Sequence, residues 1–99
     1  DGSALVPNNA GFNRPLGTNF FYVTQASWQT LGSVGNGTRV NEPKFPANTV
    51  VSNVVGPQSG GGFTYYTITV NQPSLAAINA NATICVSPTA MLNGPAPAN

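Results

Sequence analysis

The chain has no histidine, one cysteine, no long apolar run and, from Phe45 to Asn99, not one Asp, Glu, Lys or Arg. Each absence excludes something. Without histidine the commonest general base and the commonest metal ligand are both missing. The only carboxylates are Asp1 and Glu42, and a two-carboxylate mechanism would have to hold the terminal residue at fixed geometry opposite Glu42. Cys85 has no histidine to activate it and no basic neighbour in sequence, which disfavours a thiolate nucleophile. As the sole cysteine it rules out an internal disulfide framework, and a buried small hydrophobe is its expected role. The ligand clusters that zinc or calcium require are also missing. The expectation is therefore no catalytic residue, no metal and no cofactor.

Partners are restricted in the same way. Arg14, Arg39 and Lys44 are the only cations, too few for the basic stripe that a nucleic-acid surface needs. No run of about 18 apolar residues occurs, so no transmembrane helix is expected. A basic leader followed by an apolar stretch is absent as well, and a chain beginning at Asp1 reads as a mature product or an excised fragment.

What is present is neutral and polar. At 99 residues there is room for one domain. Leu, Ile, Val and Phe number 23 against a net charge of +1, which favours a folded state over disorder. Gly and Pro, 11 and 9 residues, make it loop-rich. Asn, Thr, Ser, Gln and Gly supply most of the surface. Such groups form hydrogen bonds but repel nothing, so another chain can pack on them without stripping water from ions.

Sustained helical periodicity is absent, whereas short β-branched and aromatic runs recur. Strands are expected at Asn19–Gln25, with a possible reach to Trp28, at Thr38–Val40, Thr49–Val55, Phe63–Val70 and Ala82–Ser87. In Thr49–Val55, strict alternation sets Val50 and Val54 on one face, Val51 and Val55 on the other. Ile68, Val70, Ile84 and Val86 should share one core with the inward valines. Gly35-Asn36-Gly37 reads as a tight turn, and Gly56–Gly62 as a flexible loop joining two strands of a hairpin. Ser74–Ile78 reads as one helical turn capped by Ser74. Asp1–Arg14 and Asn93–Asn99 read as extended segments without a core of their own, which divides the chain into an arm (1–14), a β domain (15–92) and a tail (93–99). The fold class expected is all-β: a small antiparallel sandwich or barrel with extended ends and little helix.

Few motifs carry chemistry. Gly60-Gly61-Gly62 is followed by a strand and by no Lys-Ser/Thr, so it is not a phosphate-cradling loop. Asn36-Gly37-Thr38 and Asn81-Ala82-Thr83 match the glycosylation sequon, at about the frequency that this Asn, Ser and Thr content produces by chance. Tyr22, Trp28 and Tyr65 carry more interest, because aromatic faces flanked by amides suit sugar rings, although a domain of this size needs most of its aromatics for packing. Tyr65 and Tyr66 are strand neighbours, so one of them must face outward.

The expected strands after Lys44 combine β-propensity and hydrophobicity with no charge, and soluble monomers usually guard strand edges with Lys or Glu. Either the fold closes its edges or a neighbouring chain covers them. The composition therefore points to a non-enzymatic structural subunit that assembles with copies of itself, in an extracellular filament of the pilus or fimbria kind or on a virion surface as a capsid or decoration protein. The candidate joining residues are Val51, Val55, Phe63, Tyr65, Thr67 and Thr69. The alternative is a secreted carbohydrate-binding module, with Tyr22, Trp28 and Tyr65 touching the glycan.

Overall fold

The computed structural model of the chain describes residues 2–31 and 35–87. It is all-β, with two three-stranded antiparallel sheets. The strands are β1 (Gly2–Leu5), β2 (Phe20–Thr24), β3 (Arg39–Val40), β4 (Val51–Gly60), β5 (Phe63–Val70) and β6 (Thr83–Ser87). One sheet runs β1-β6-β3, the other β2-β5-β4. They meet where β3 passes the start of β4: Val40 N–H donates to the Thr49 carbonyl (2.9 Å) and Val51 N–H to the Thr38 carbonyl (2.8 Å).

The expected core is present. Ile68, Val70, Ile84 and Val86 are all at most 1% exposed and share one cluster with Val51, Phe21, Val23 and Val40. Alternation explains it: β5 and β6 each send every second residue inward, among them the branched aliphatics Ile68, Val70, Ile84 and Val86.

β5 has the bounds expected from sequence, while β4 departs from its reading twice. Val51 pairs with Val70 and Asn53 with Thr69, so Ser52 is an extra residue, a β-bulge. A bulge shifts the alternation by one. Val51 and Val54 consequently lie on the core side, opposite Val70 and Ile68, while Val55 turns outward and is 45% exposed. The expected facing, Val51 with Val55, is thus corrected. Beyond Val55 the strand continues through the stretch read as a flexible loop. Gly56 and Pro57 form a second bulge, and Gln58 resumes pairing with Tyr65. The hairpin closes in two residues, Gly61 and Gly62, both at positive φ (57° and 83°) as a type I′ turn demands.

At Gly56 a side chain has no room. Its φ is 144°, and a Cβ would fall 2.7 Å from Tyr66 Cδ1 and 3.0 Å from the Tyr65 carbonyl oxygen. Gly56→Ala is expected to cost about 1–3 kcal/mol, the range for a side chain forced into a glycine-only conformation. A urea melt of the variant checks this, and an unchanged midpoint would mean that the bulge is not rigid.

The one α-helix among the described residues, α1 (Gln25–Thr30), begins where strand is expected to run on toward Trp28. Thr24 caps it, its side chain accepting from Ser27 N–H at 3.1 Å. The Ser27 hydroxyl in turn accepts from Leu5 N–H at 3.0 Å, which ties α1 to β1. The expected turn at Ser74–Ile78 is not helical. Its backbone bonds outward instead, Ser74 N–H to the Thr18 carbonyl and Ile78 in a two-way bridge with Arg14.

The N-terminal segment is the larger correction. Residues 2–14 are part of the domain and not an arm outside it. β1 pairs with β6 from Gly2–Val86 to Leu5–Thr83, Ala4 and Val6 are fully buried, and Phe12 is 6% exposed. Isolated apolars among Asn and Gly suggest nothing to pack, yet Ala4, Val6 and Phe12 join the core cluster with residues of distant strands. The expected tail, 93–99, lies outside the described residues, as do 88–92.

Candidate functional site

The side of the β2-β5-β4 sheet turned away from the core gathers most of the residues singled out from sequence. Alternation sends Phe20, Tyr22 and Thr24 of β2 outward, and with them Phe63, Tyr65, Thr67 and Thr69 of β5. Their partners across the sheet continue the rows: Tyr22 opposite Thr67, Thr67 opposite Val55, Tyr65 opposite Gln58. Tyr66 takes the inner side with Ile68, so Tyr65 is the outward tyrosine of the pair.

The aromatics on this face contact one another edge to face. Tyr22 and Tyr65 have ring centroids 5.4 Å apart at 87°, and Phe20 and Tyr22 5.8 Å apart at 81°. Phe12 sits over them, 4.9 Å from Tyr65, 5.5 Å from Tyr22 and 5.9 Å from Phe63. It arrives on a short 3-10 turn, Ala10–Phe12, capped by the Asn9 side chain accepting from Gly11 N–H. Asn9 also donates to the Gly61 carbonyl (3.1 Å), and the Arg14 guanidinium lies 4.4 Å above the Phe20 ring. Residues 9–14 therefore form a strap across the face, from the β4–β5 hairpin tip to the start of β2. Edge-to-face pairs of this kind add about 0.5–1.5 kcal/mol each beyond the area they bury.

Among the described residues, nothing charged lies on the face beyond the strap. Thr67 donates to Gln58 Oε1 at 2.6 Å, and Val55 stands exposed beside it. Among the described residues, the only charged group in contact with these rings is Arg14. Glu42 sits elsewhere, one oxygen 3.1 Å from Lys44 Nζ and the other accepting from Cys85 N–H at 3.2 Å. Its carboxylate fastens the loop before Phe45 to β6. Among the described residues no three of His, Cys, Asp and Glu cluster, no concave pocket opens, and no helix is long and apolar enough to cross a membrane.

Phe63, Tyr65, Thr67, Thr69 and Val55 thus share one face with Tyr22. Two nominated residues do not reach it. Val51 is 1% exposed and belongs to the core, placed there by the Ser52 bulge. Trp28 is 5% exposed on α1 and packs into the core too, so it offers no stacking surface to a sugar. Phe12, Phe20, Arg14 and Gln58 were missed. The parity of Phe20 with Tyr22 was available in the sequence; Phe12 and Arg14 had no local signal, and Gln58 was hidden in an apparent loop.

The long outer edge of β4 is the other feature to weigh. Two bulges interrupt it, and Pro57 removes one N–H, leaving short regular stretches at Asn53–Val55 and Gln58–Gly60. Bulges and proline guard an edge as charge does. Among the described residues, the outer face is less guarded than this edge. Comparison with known proteins finds no match to the chain, whether among family models, curated proteins or solved structures.

Proposed function

We propose that this chain is a non-enzymatic structural subunit of an extracellular filament or a virion surface, joining copies of itself through the outer face of the β2-β5-β4 sheet. The observation that carries the reading is the composition of that face: partly buried Phe20, Tyr22, Phe63 and Tyr65, exposed Val55, and Thr67 and Thr69 between them. A surface of this kind buries apolar area and satisfies hydroxyls without desolvating charge. The guarded β4 edge supports face packing over strand addition.

Contacts without ions are not screened by salt. Light scattering of the parent protein is therefore expected to show the same assembly at low and high ionic strength. Val55→Lys places a charge in the middle of the face at a position with little packing to lose. It should lower the assembled fraction at least tenfold while shifting the melting temperature by no more than about 2 °C, as expected of surface changes. A Val55→Lys protein that assembles like the parent would remove this face from the reading.

A secreted carbohydrate-binding module draws on the same place, since Tyr22 and Tyr65, both nominated for it, come within 5.4 Å. Their edge-to-face arrangement under Phe12 favours packing over a flat stacking platform. Retention on a glycan array that Tyr65→Ala abolishes without loss of stability would reverse that preference.

A further inference from the structure

We infer that copies of this chain join by exchanging their N-terminal segments, so that residues 2–14 of one copy occupy on a second copy the place they hold on their own domain. The inference rests on the self-assembly reading and names the segment that makes the joint.

Residues 2–14 have no interior of their own. Every apolar side chain they bury goes into a site built by later strands: Ala4 and Val6 into the core beside β6, Phe12 into the ring of Tyr22, Phe63 and Tyr65. Besides the bonds within its own 3-10 turn, the segment makes remote polar contacts, Val6 N–H to the Ala82 carbonyl, Asn9 to the Gly61 carbonyl, and Arg14 in its bridge with Ile78. An antiparallel ladder and an aromatic slot are indifferent to which copy supplies the strand and the ring. Exchange keeps all of these contacts and changes only the connection to β2.

That connection is exposed over its first three residues, Pro15, Leu16 and Gly17, with Leu16 64% exposed and Gly17 at φ 87°. The turn is held by Thr18 Oγ1 to the Pro15 carbonyl, by Gly17 N–H to the Ser74 carbonyl and hydroxyl and by Ser74 N–H to the Thr18 carbonyl, contacts that a straightened turn gives up. Pro15 biases Arg14 toward extended backbone, which suits a straightened chain. Straightened, the five residues from Pro15 to Asn19 reach about 17 Å, enough to carry the segment off its own domain. The exchanged strap would then cover the ring cluster of the neighbour's outer face and leave the open part around Val55 for a further contact between copies.

The β1–β6 register supplies the test. Ser3 lies directly opposite Cys85, so Ser3→Cys sets a thiol across the ladder from the native one. Isotopically heavy and light chains of this variant are unfolded together in equal amounts, refolded, assembled and oxidised. Mass spectrometry then counts the bridged peptides that join a heavy to a light chain. Exchange is expected to give about half of them mixed, whereas a closed domain gives none. Leu5→Cys with Thr83→Cys in a Cys85→Ser background, the pair at the other end of the ladder, reads the same ratio where the first bridge forms poorly. Assemblies whose bridges are all heavy–heavy or light–light would overturn the exchange and leave self-assembly standing through another contact. A protein that forms no assembly, with every bridge inside one chain, would overturn both.

Discussion

A chain lacking residues 1–6 is expected to have no cooperative unfolding transition. The truncation removes β1, and with it four strand pairs to β6 and the fully buried side chains of Ala4 and Val6. Burying a valine contributes about 1.5–3 kcal/mol. Losing β1 also uncovers Ile84 and Val86, which are otherwise fully buried, and leaves Leu5's partner Ser27 without its bond. Together these losses reach the lower part of the roughly 5–15 kcal/mol by which a small domain is stable. Urea titration followed by Trp28 fluorescence checks it, since Trp28 is buried against the same core. A truncated protein that melts at the parent's midpoint would return residues 2–6 to the status of a dispensable arm.

The second large effect is expected at Ile68. It is fully buried at the centre of β5, paired with Phe21 on one side and Val54 on the other, and faces the β6 residues Ile84 and Val86 across the core. Ile68→Ala removes a large branched side chain from a site that rigid strands cannot collapse to fill. The expected cost is about 2–5 kcal/mol, the range for such core truncations. A urea melt showing less than about half a kcal/mol would place Ile68 outside the core, against the facing of β5, and would be ordinary only for a surface change.

These effects also mark what the sequence could and could not disclose. β5 was legible because eight uncharged residues alternate cleanly between two flat environments, and β6 for the same reason. β4 was legible only to its first bulge. A bulge is a relation between two strands, so nothing inside Thr49–Val55 announces that Ser52 goes unpaired or that Val51 turns inward. Gly56 and Pro57 carry signals shared by loops and bulges, and the pairing of Val55 with Thr67 and Gln58 with Tyr65 on either side of them decides between the two. The helix at Gln25–Thr30 is too short for periodicity to show, and its cap, Thr24 to Ser27, was its only local mark. Ala4, Val6 and Phe12 were illegible for the most basic reason. Their partners are β6 and the outer face of β5, more than fifty residues away along the chain.

The outer face was half legible. Phe63, Tyr65, Thr67 and Thr69 follow from strand alternation alone, and their company with Tyr22 follows from the β2–β5 register. The strap that crosses them depends on a tertiary contact between Asn9 and Gly61 that no local pattern encodes. This matters for function because the strap and the face together make the surface on which the proposed assembly depends.

Electron microscopy of the concentrated parent protein in high salt addresses that proposal most directly. Regular filaments or shells, persisting when ionic strength is raised and lost in Val55→Lys, are the expected result. Dispersed single particles of one chain, at every concentration and in the native source, would contradict it.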